Sequence, residues 1–298
     1  MDSKIRFGPS GNSQIFYDAG NKSSIQAPKF LKEHNLSCYE YSFGRGFTIG
    51  QETAKRLGEE AKNNDILISV HAPYYINLAN ENDETISKNI NYILKSLDYL
   101  KLFNGKKCVV HSGCQNKLDR QTALSNLFRQ LDFVLESYHD GDYKGLYICP
   151  ETMGKSQQIG SVDEVLEICT RDESLIPTFD FGHINAVTQG TLKGIEDYRK
   201  IIDKCFDKLG EFKTKNMHIH FSKIEYTSKG EVKHLTLEDD IYGPEFEPLA
   251  YLLNENKLTP TIICESKGKM MEDAITMHNI YESIIKNNWQ NFMYILYY

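Results

Sequence analysis

The side chains able to do chemistry stand at the ends of short β-branched runs. One run ends Ser69-Val70-His71-Ala72-Pro73-Tyr74, the next Val109-Val110-His111-Ser112-Gly113, and a third Ile148-Cys149-Pro150-Glu151-Thr152. Three more carry Asp180-Phe181-Gly182-His183, Met217-His218-Ile219-His220-Phe221 and Ile263-Cys264-Glu265. Unpartnered carboxylates and imidazoles cost several kcal/mol each when gathered away from water. A divalent cation removes that cost by pairing the anions and accepting the imidazole lone pairs. A His, Glu and Asp set without Cys suits zinc, manganese or a similar ion. Two ions about 3.5–4 Å apart, bridged by a carboxylate, clamp a phosphate and generate hydroxide near neutral pH. A lone His at a strand end is ordinarily a satisfied polar residue, but successive strands all ending this way form a pattern. His218 and His220 face the same side by strand alternation. One suffices as a ligand, with His220 as its support. His34, His139 and His278 fall in helical or turn stretches and read as surface or core residues.

Such residues meet only if the elements bring strand ends together. The β-like runs fall at 4–7, 37–43, 66–71, 107–111, 146–150, 176–181, 216–221 and 259–265. Between them, 51–63, 84–102, 120–138, 161–170, 191–209, 246–254 and 272–286 carry apolar residues at helical spacing, as Ile90, Ile93, Leu94, Leu97 and Leu100 show. Strands alternating with helices, with no Gly-x-Gly-x-x-Gly after the first, predict an α/β fold: a single-domain (β/α)8 TIM barrel over residues 1–298. In that fold all strand C-terminal ends open on one face.

Composition agrees with a globular chain: 40% hydrophobic and 25% charged residues. No stretch of about 18 apolar residues suggests a membrane span, and the N-terminus lacks the apolar segment of a secretory signal. The seven Cys are scattered and include no C-x-x-C pair, which predicts a reducing, cytoplasmic setting and small buried thiols. The net charge of −7 argues against general polyanion binding. Yet loops expected on the active face carry Arg45, Lys117, Arg120, Lys155, Lys223, Lys229, Lys233, Lys267 and Lys269, while acids concentrate in helices. The apolar run at 287–298 is expected to pack under the barrel, with a partner surface as the alternative.

The ordered set His71, His111, Glu151, Asp180-x-x-His183, His218 and Glu265 resembles the endonuclease IV family of apurinic/apyrimidinic endonucleases. The resemblance runs from the third strand to the eighth and includes Tyr74 with Ile76-Asn77-Leu78. It implies three zinc ions. His71 and His111 would hold one. Glu151 would bridge it to a second, bound also by Asp180, His218 and Glu265. His183 would hold the third with an Asp-x-His pair from the loop after strand seven. There the sequence departs: His234 is present, but Val232 stands where Asp is expected, so Glu231 is expected to substitute. Arg45 and Tyr74 would contact substrate, and Phe47 would stack or wedge.

The activity so implied is hydrolysis of the phosphodiester 5′ to an abasic site in double-stranded DNA, leaving a 3′-hydroxyl. Glu265 and Glu151 would be catalytic, Glu265 orienting and deprotonating the attacking water. Two rivals stay open. Sugar isomerases and epimerases of the xylose-isomerase-like group hold one ion, which Glu151, Asp180, His218 and Glu265 would supply. A binding module that kept the barrel and lost the chemistry is the other.

Overall fold

The computed structural model describes residues 4–44 and 46–297, with the side chains of residue 83 and of 288 onward outside that description. Its barrel strands are β1 (Arg6–Pro9), β2 (Cys38–Ser42), β3 (Leu67–His71), β4 (Lys107–Val110), β5 (Tyr147–Pro150), β6 (Thr178–Asp180) and β7 (His218–Phe221). A hairpin of β8 (Lys223–Thr227) and β9 (Gly230–Leu235) follows, and β10 (Thr261–Cys264) completes the barrel. All barrel pairings are parallel, in two arcs ordered β1-β10-β7-β6 and β2-β3-β4-β5. Ser10 opposite Glu40 joins the arcs on one side, and Leu175 opposite Ile148 with Thr178 opposite Glu151 on the other. The cylinder is therefore closed, as predicted.

Helices cover the outside: α1 (Gln14–Asp18), α2 (Ala27–Glu33), α3 (Gln51–Asn63), α4 (Asp83–Leu102), α5 (Arg120–Asp140) and α6 (Val162–Cys169). They continue with α7 (Phe181–Val187), α8 (Ile195–Lys215), α9 (Glu247–Glu255) and α10 (Met270–Tyr297). The longer helices lay apolar stripes on the barrel; in α8, Tyr198, Ile201, Ile202 and Cys205 are buried at helical spacing. Outward strand residues such as Ile219 and Phe221 meet those stripes in one extended core. The seven Cys are unpaired and six are buried, as expected of small apolar side chains. No described helix is long and apolar enough to cross a membrane.

Three elements differ from expectation. Helix α2 is too short to show a period, although Pro28 sits favourably in its first turn. Helix α7 starts directly after β6, because the Asp180 carboxylate caps it by accepting the His183 N–H at 2.7 Å. The β8–β9 hairpin, rich in Lys and Glu, reads in sequence as a loop. The expected packing of the 287–298 run concerns side chains largely outside the described residues.

Candidate metal centre

Inside a barrel, side chains two residues apart on a strand lie in successive layers. The uppermost layer gathers around Glu151, which is 1% exposed. Its Oε2 lies 3.2 Å from His71 Nε2 and 3.1 Å from His111 Nε2. Its Oε1 lies 2.9 Å from His220 Nδ1. One carboxylate thus belongs to two ligand groups: His71, His111 and Glu151, and Glu151, Asp180, His220 and Glu265. Two further groups adjoin them: His183, Glu231 and His234, and, one layer deeper, Glu40, His218 and His220. Within each group the ligand atoms lie within 4.8 Å of one another.

The surroundings orient these ligands. His71 Nδ1–H donates to the Ala72 carbonyl at 2.7 Å and His183 Nδ1–H to the Thr152 carbonyl at 2.9 Å. His234 Nδ1 lies 2.8 Å from Ser222 Oγ. Each therefore turns Nε2 toward a carboxylate, the arrangement that fixes a metal-binding tautomer. Asp180 Oδ2 is buried and has no hydrogen-bond partner, a cost a cation would remove. The hairpin is pressed onto the centre: Glu231 N–H donates to the Gly154 carbonyl at 2.9 Å. A Cβ on Gly154 would come within 2.8 Å of Glu231 and 3.0 Å of His183. The nitrogen-and-oxygen donor set and the Asp180 oxygen, which has the His183 ring 3.3 Å away but no hydrogen bond, fit divalent ions well.

The same contacts set the charges of the metal-free cluster. Burial opposes charging His71, but Glu151 outweighs it and holds the imidazole up to about 9. His183 is likewise raised to about 9 against burial, by Asp180 and Glu151. His220 is raised well above its usual range, despite burial, by Glu265, Glu40 and Glu151. Glu151, despite burial, is held well below the carboxylate range by its imidazoles. Without metal, protons on the imidazoles neutralise the cluster; a metal ion would take their place.

The expected residues His71, His111, Glu151, Asp180, His183 and Glu265 meet here, and Glu231 stands beside His183 and His234 while Val232 is exposed. His218 does not stand beside Glu151, Asp180 and Glu265, where it was expected, but falls in the deeper group with Glu40 and His220. Its Nε2 lies 2.9 Å from Glu40 Oε2, one layer below, and burial pushes its pKa down to about 4. His220 stands beside Glu151, Asp180 and Glu265 and belongs to both groups. Arg45 lies outside the described residues. Phe47 is no free wedge: it stacks on Tyr92 and Tyr99. Tyr74 is half-exposed and lines the opening. Sequence reading missed Glu40, which is fully buried; its signal was an inward-facing Glu between Tyr39 and Tyr41 in a β-run.

The opening is a cleft of about 320 Å³, bounded by Ser10, Ser42, Tyr74, Met153, Lys155 and Gln158. That volume is near the lower bound for small-molecule sites, about 300 Å³. Of the loop cations, Lys155 borders it. Arg120, Lys223, Lys233 and Lys269 instead pair with Glu164, Glu245, Glu225 and Glu238, so the basic face is weaker than the residue count suggests.

Residues 28–281 match the family model described as xylose isomerase-like TIM barrel. The chain belongs to that family. An uncharacterised protein of Methanocaldococcus jannaschii is 31% identical over 88% of this xylose isomerase-like barrel and 93% of its own length. A probable endonuclease 4 of Lachnoclostridium phytofermentans is 31% identical over 63% of the chain, which spans 61% of that relative's length. Among solved structures, a D-tagatose 3-epimerase-like protein aligns over 91% of this chain and 98% of its own (TM-score 0.69, 22% identity). Endonuclease IV from Thermus thermophilus aligns over 89% and 94% (TM-score 0.62, 16% identity). At these identities the structural likeness shows the fold alone.

Proposed function

We propose that this barrel holds three divalent ions, zinc with manganese as a possible substitute, and hydrolyses the phosphodiester 5′ to an abasic site in double-stranded DNA. The observation that carries the reading is that three of the four ligand groups have members lining one cleft, and two of those three share Glu151. Ions held there would supply positive charge for a phosphate and acidify a water near neutral pH. The chain's own residues do the rest. Glu265, 18% exposed and lining the cleft, orients water and accepts its proton. Glu151 keeps two ligand groups in fixed relation. Lys155 and Tyr74 at the rim meet the phosphate and the sugar. An abasic nucleotide is already unpaired, so drawing it into the cleft costs little.

A second reading has an observation of its own. Glu151, Asp180, His220 and Glu265 form a four-residue group sufficient for one ion. A single-metal sugar epimerase needs only that group, with two carboxylates moving a proton beside a carbonyl. It leaves His71, His111, His183, Glu231 and His234 without work. The deciding experiment pairs metal content of purified protein with a nicking assay on a duplex containing a tetrahydrofuran abasic analogue. Near three ions and a cut leaving a 3′-hydroxyl, lost in Glu265→Gln, support the nuclease. Near one ion, with no nicking by the loaded wild type, refutes it.

A further inference from the structure

Beneath the ligands lies a second polar layer where a barrel of this type ordinarily packs branched aliphatic residues. Glu40 and His218 are completely buried there, with Ser69 beside them. Glu40 Oε2 accepts the Ser69 hydroxyl at 2.8 Å and lies 2.9 Å from His218 Nε2. Its other oxygen, Oε1, lies 3.0 Å from Nε2 of His220. His220 differs from the other oriented imidazoles. His71 and His183 use Nδ1–H on a backbone carbonyl and offer Nε2. His220 is turned over: Nδ1 faces Glu151 and Glu265, at 2.9 and 3.6 Å, and Nε2 faces down into the barrel. No backbone carbonyl receives that Nε2, which lacks a well-aligned hydrogen bond.

We propose that Glu40 is the positioning residue of the shared metal site: its carboxylate receives Nε2–H of His220 and thereby commits Nδ1 to the ion. His218 and Ser69 hold the carboxylate in place through its second oxygen. An ionised carboxylate is a stronger acceptor than a carbonyl, so His220 becomes the most basic and most firmly oriented imidazole of the centre. Burying a carboxylate this deeply is otherwise a standing cost, and its use in orienting a ligand gives that cost a purpose. The inference rests on a metal at the shared group, but on neither the nuclease nor the epimerase reading.

The test begins with wild-type protein carrying ¹⁵N-labelled histidine, titrated with zinc and followed by long-range ¹H–¹⁵N NMR. A protonated Nε2 and a zinc-shifted Nδ1 on His220 are expected. Zinc affinity is then measured by chelator competition. Glu40→Gln, which keeps the shape but not the charge, is expected to weaken the ion held by His220 about 10- to 100-fold. Glu40→Leu is expected to weaken it further, and the visible spectrum of cobalt at that site should shift in both. The ion on His71 and His111 should change less. Zinc bound through Nε2, an ion found between Glu40 and His220, or unchanged affinity and spectrum in Glu40→Gln would each overturn the proposal. If the variants do not fold, the wild-type nitrogen shifts still decide it. If the wild type binds no metal through His220 at all, the metal reading itself fails, and the NMR titration shows this before any variant is made.

Discussion

At the scale of single residues, the centre is a set of acids and bases that neutralise one another. His71 and His183 are held up to about 9, from an ordinary 6.5. A group raised in the folded state stabilises it fully below its unfolded value and loses that contribution as pH rises through the folded value. The metal-free chain should therefore lose thermal stability between pH 6.5 and about 9, and the metal-loaded chain should not. Melting curves across that range check this. Zinc added near pH 7 must also displace the imidazole protons, so a weakly buffered solution should acidify. If no protons appear, the cluster is not charged as described. His220→Ala should reduce metal affinity at least about tenfold more than His218→Ala, since His220 stands with Glu151, Asp180 and Glu265 while His218 belongs only to the deeper group with Glu40. Equilibrium dialysis of the two variants compares them.

At the scale of elements, the third ligand group depends on a hairpin that sequence alone presents as a loop. Strands β8 and β9 carry Glu231 and His234 back over the cleft, and Glu231 bonds to the Gly154 backbone. The longer Glu side chain covers the displacement from the expected position, placing Oε2 3.5 Å from His183 Nε2. That closeness requires a residue without a side chain at 154. Gly154→Ala should push the hairpin outward and cost one equivalent of metal, leaving the ions that depend on Glu151. Metal analysis after gel filtration measures the loss; retention of all ions would show that the hairpin tolerates the displacement.

For the whole molecule, the barrel spends core volume on polar layers and recovers stability elsewhere. Outside the strands, an extended apolar core holds strands and helices together. Inside, carboxylates and imidazoles replace much of the usual aliphatic filling, so metal bound there would form part of the fold's stability. An ion present at 100 times its dissociation constant adds about 2.7 kcal/mol, since it binds only the folded chain. Removing the metals with a chelator should lower the melting temperature by at least about 5 °C, read by circular dichroism. Re-addition of zinc should restore it.

The strand-helix alternation, the strand-end imidazoles and carboxylates and the absence of Cys among them were legible in the chain itself, because period, propensity and ligand chemistry are local properties. Even Glu231 could be named as a substitute from its place beside His234. What stayed hidden was depth. His218 and His220 share a side of β7; chain direction puts His220 nearer the opening, but nothing local tells which of the two lies level with the other ligands. Register decides it: β7 pairs with β6 so that His220 stands opposite Asp180 and His218 opposite Thr178. The same long-range pairing sets Ser69 opposite Glu40 and so builds a second layer no motif announces. Helix α7 and the metal-facing hairpin were also invisible, since a cap closing on its own strand and a charged ribbon folding back take their meaning from contacts distant in sequence. Chemistry was written in residue types; which residues meet is fixed only when the cylinder closes and its strands take one register.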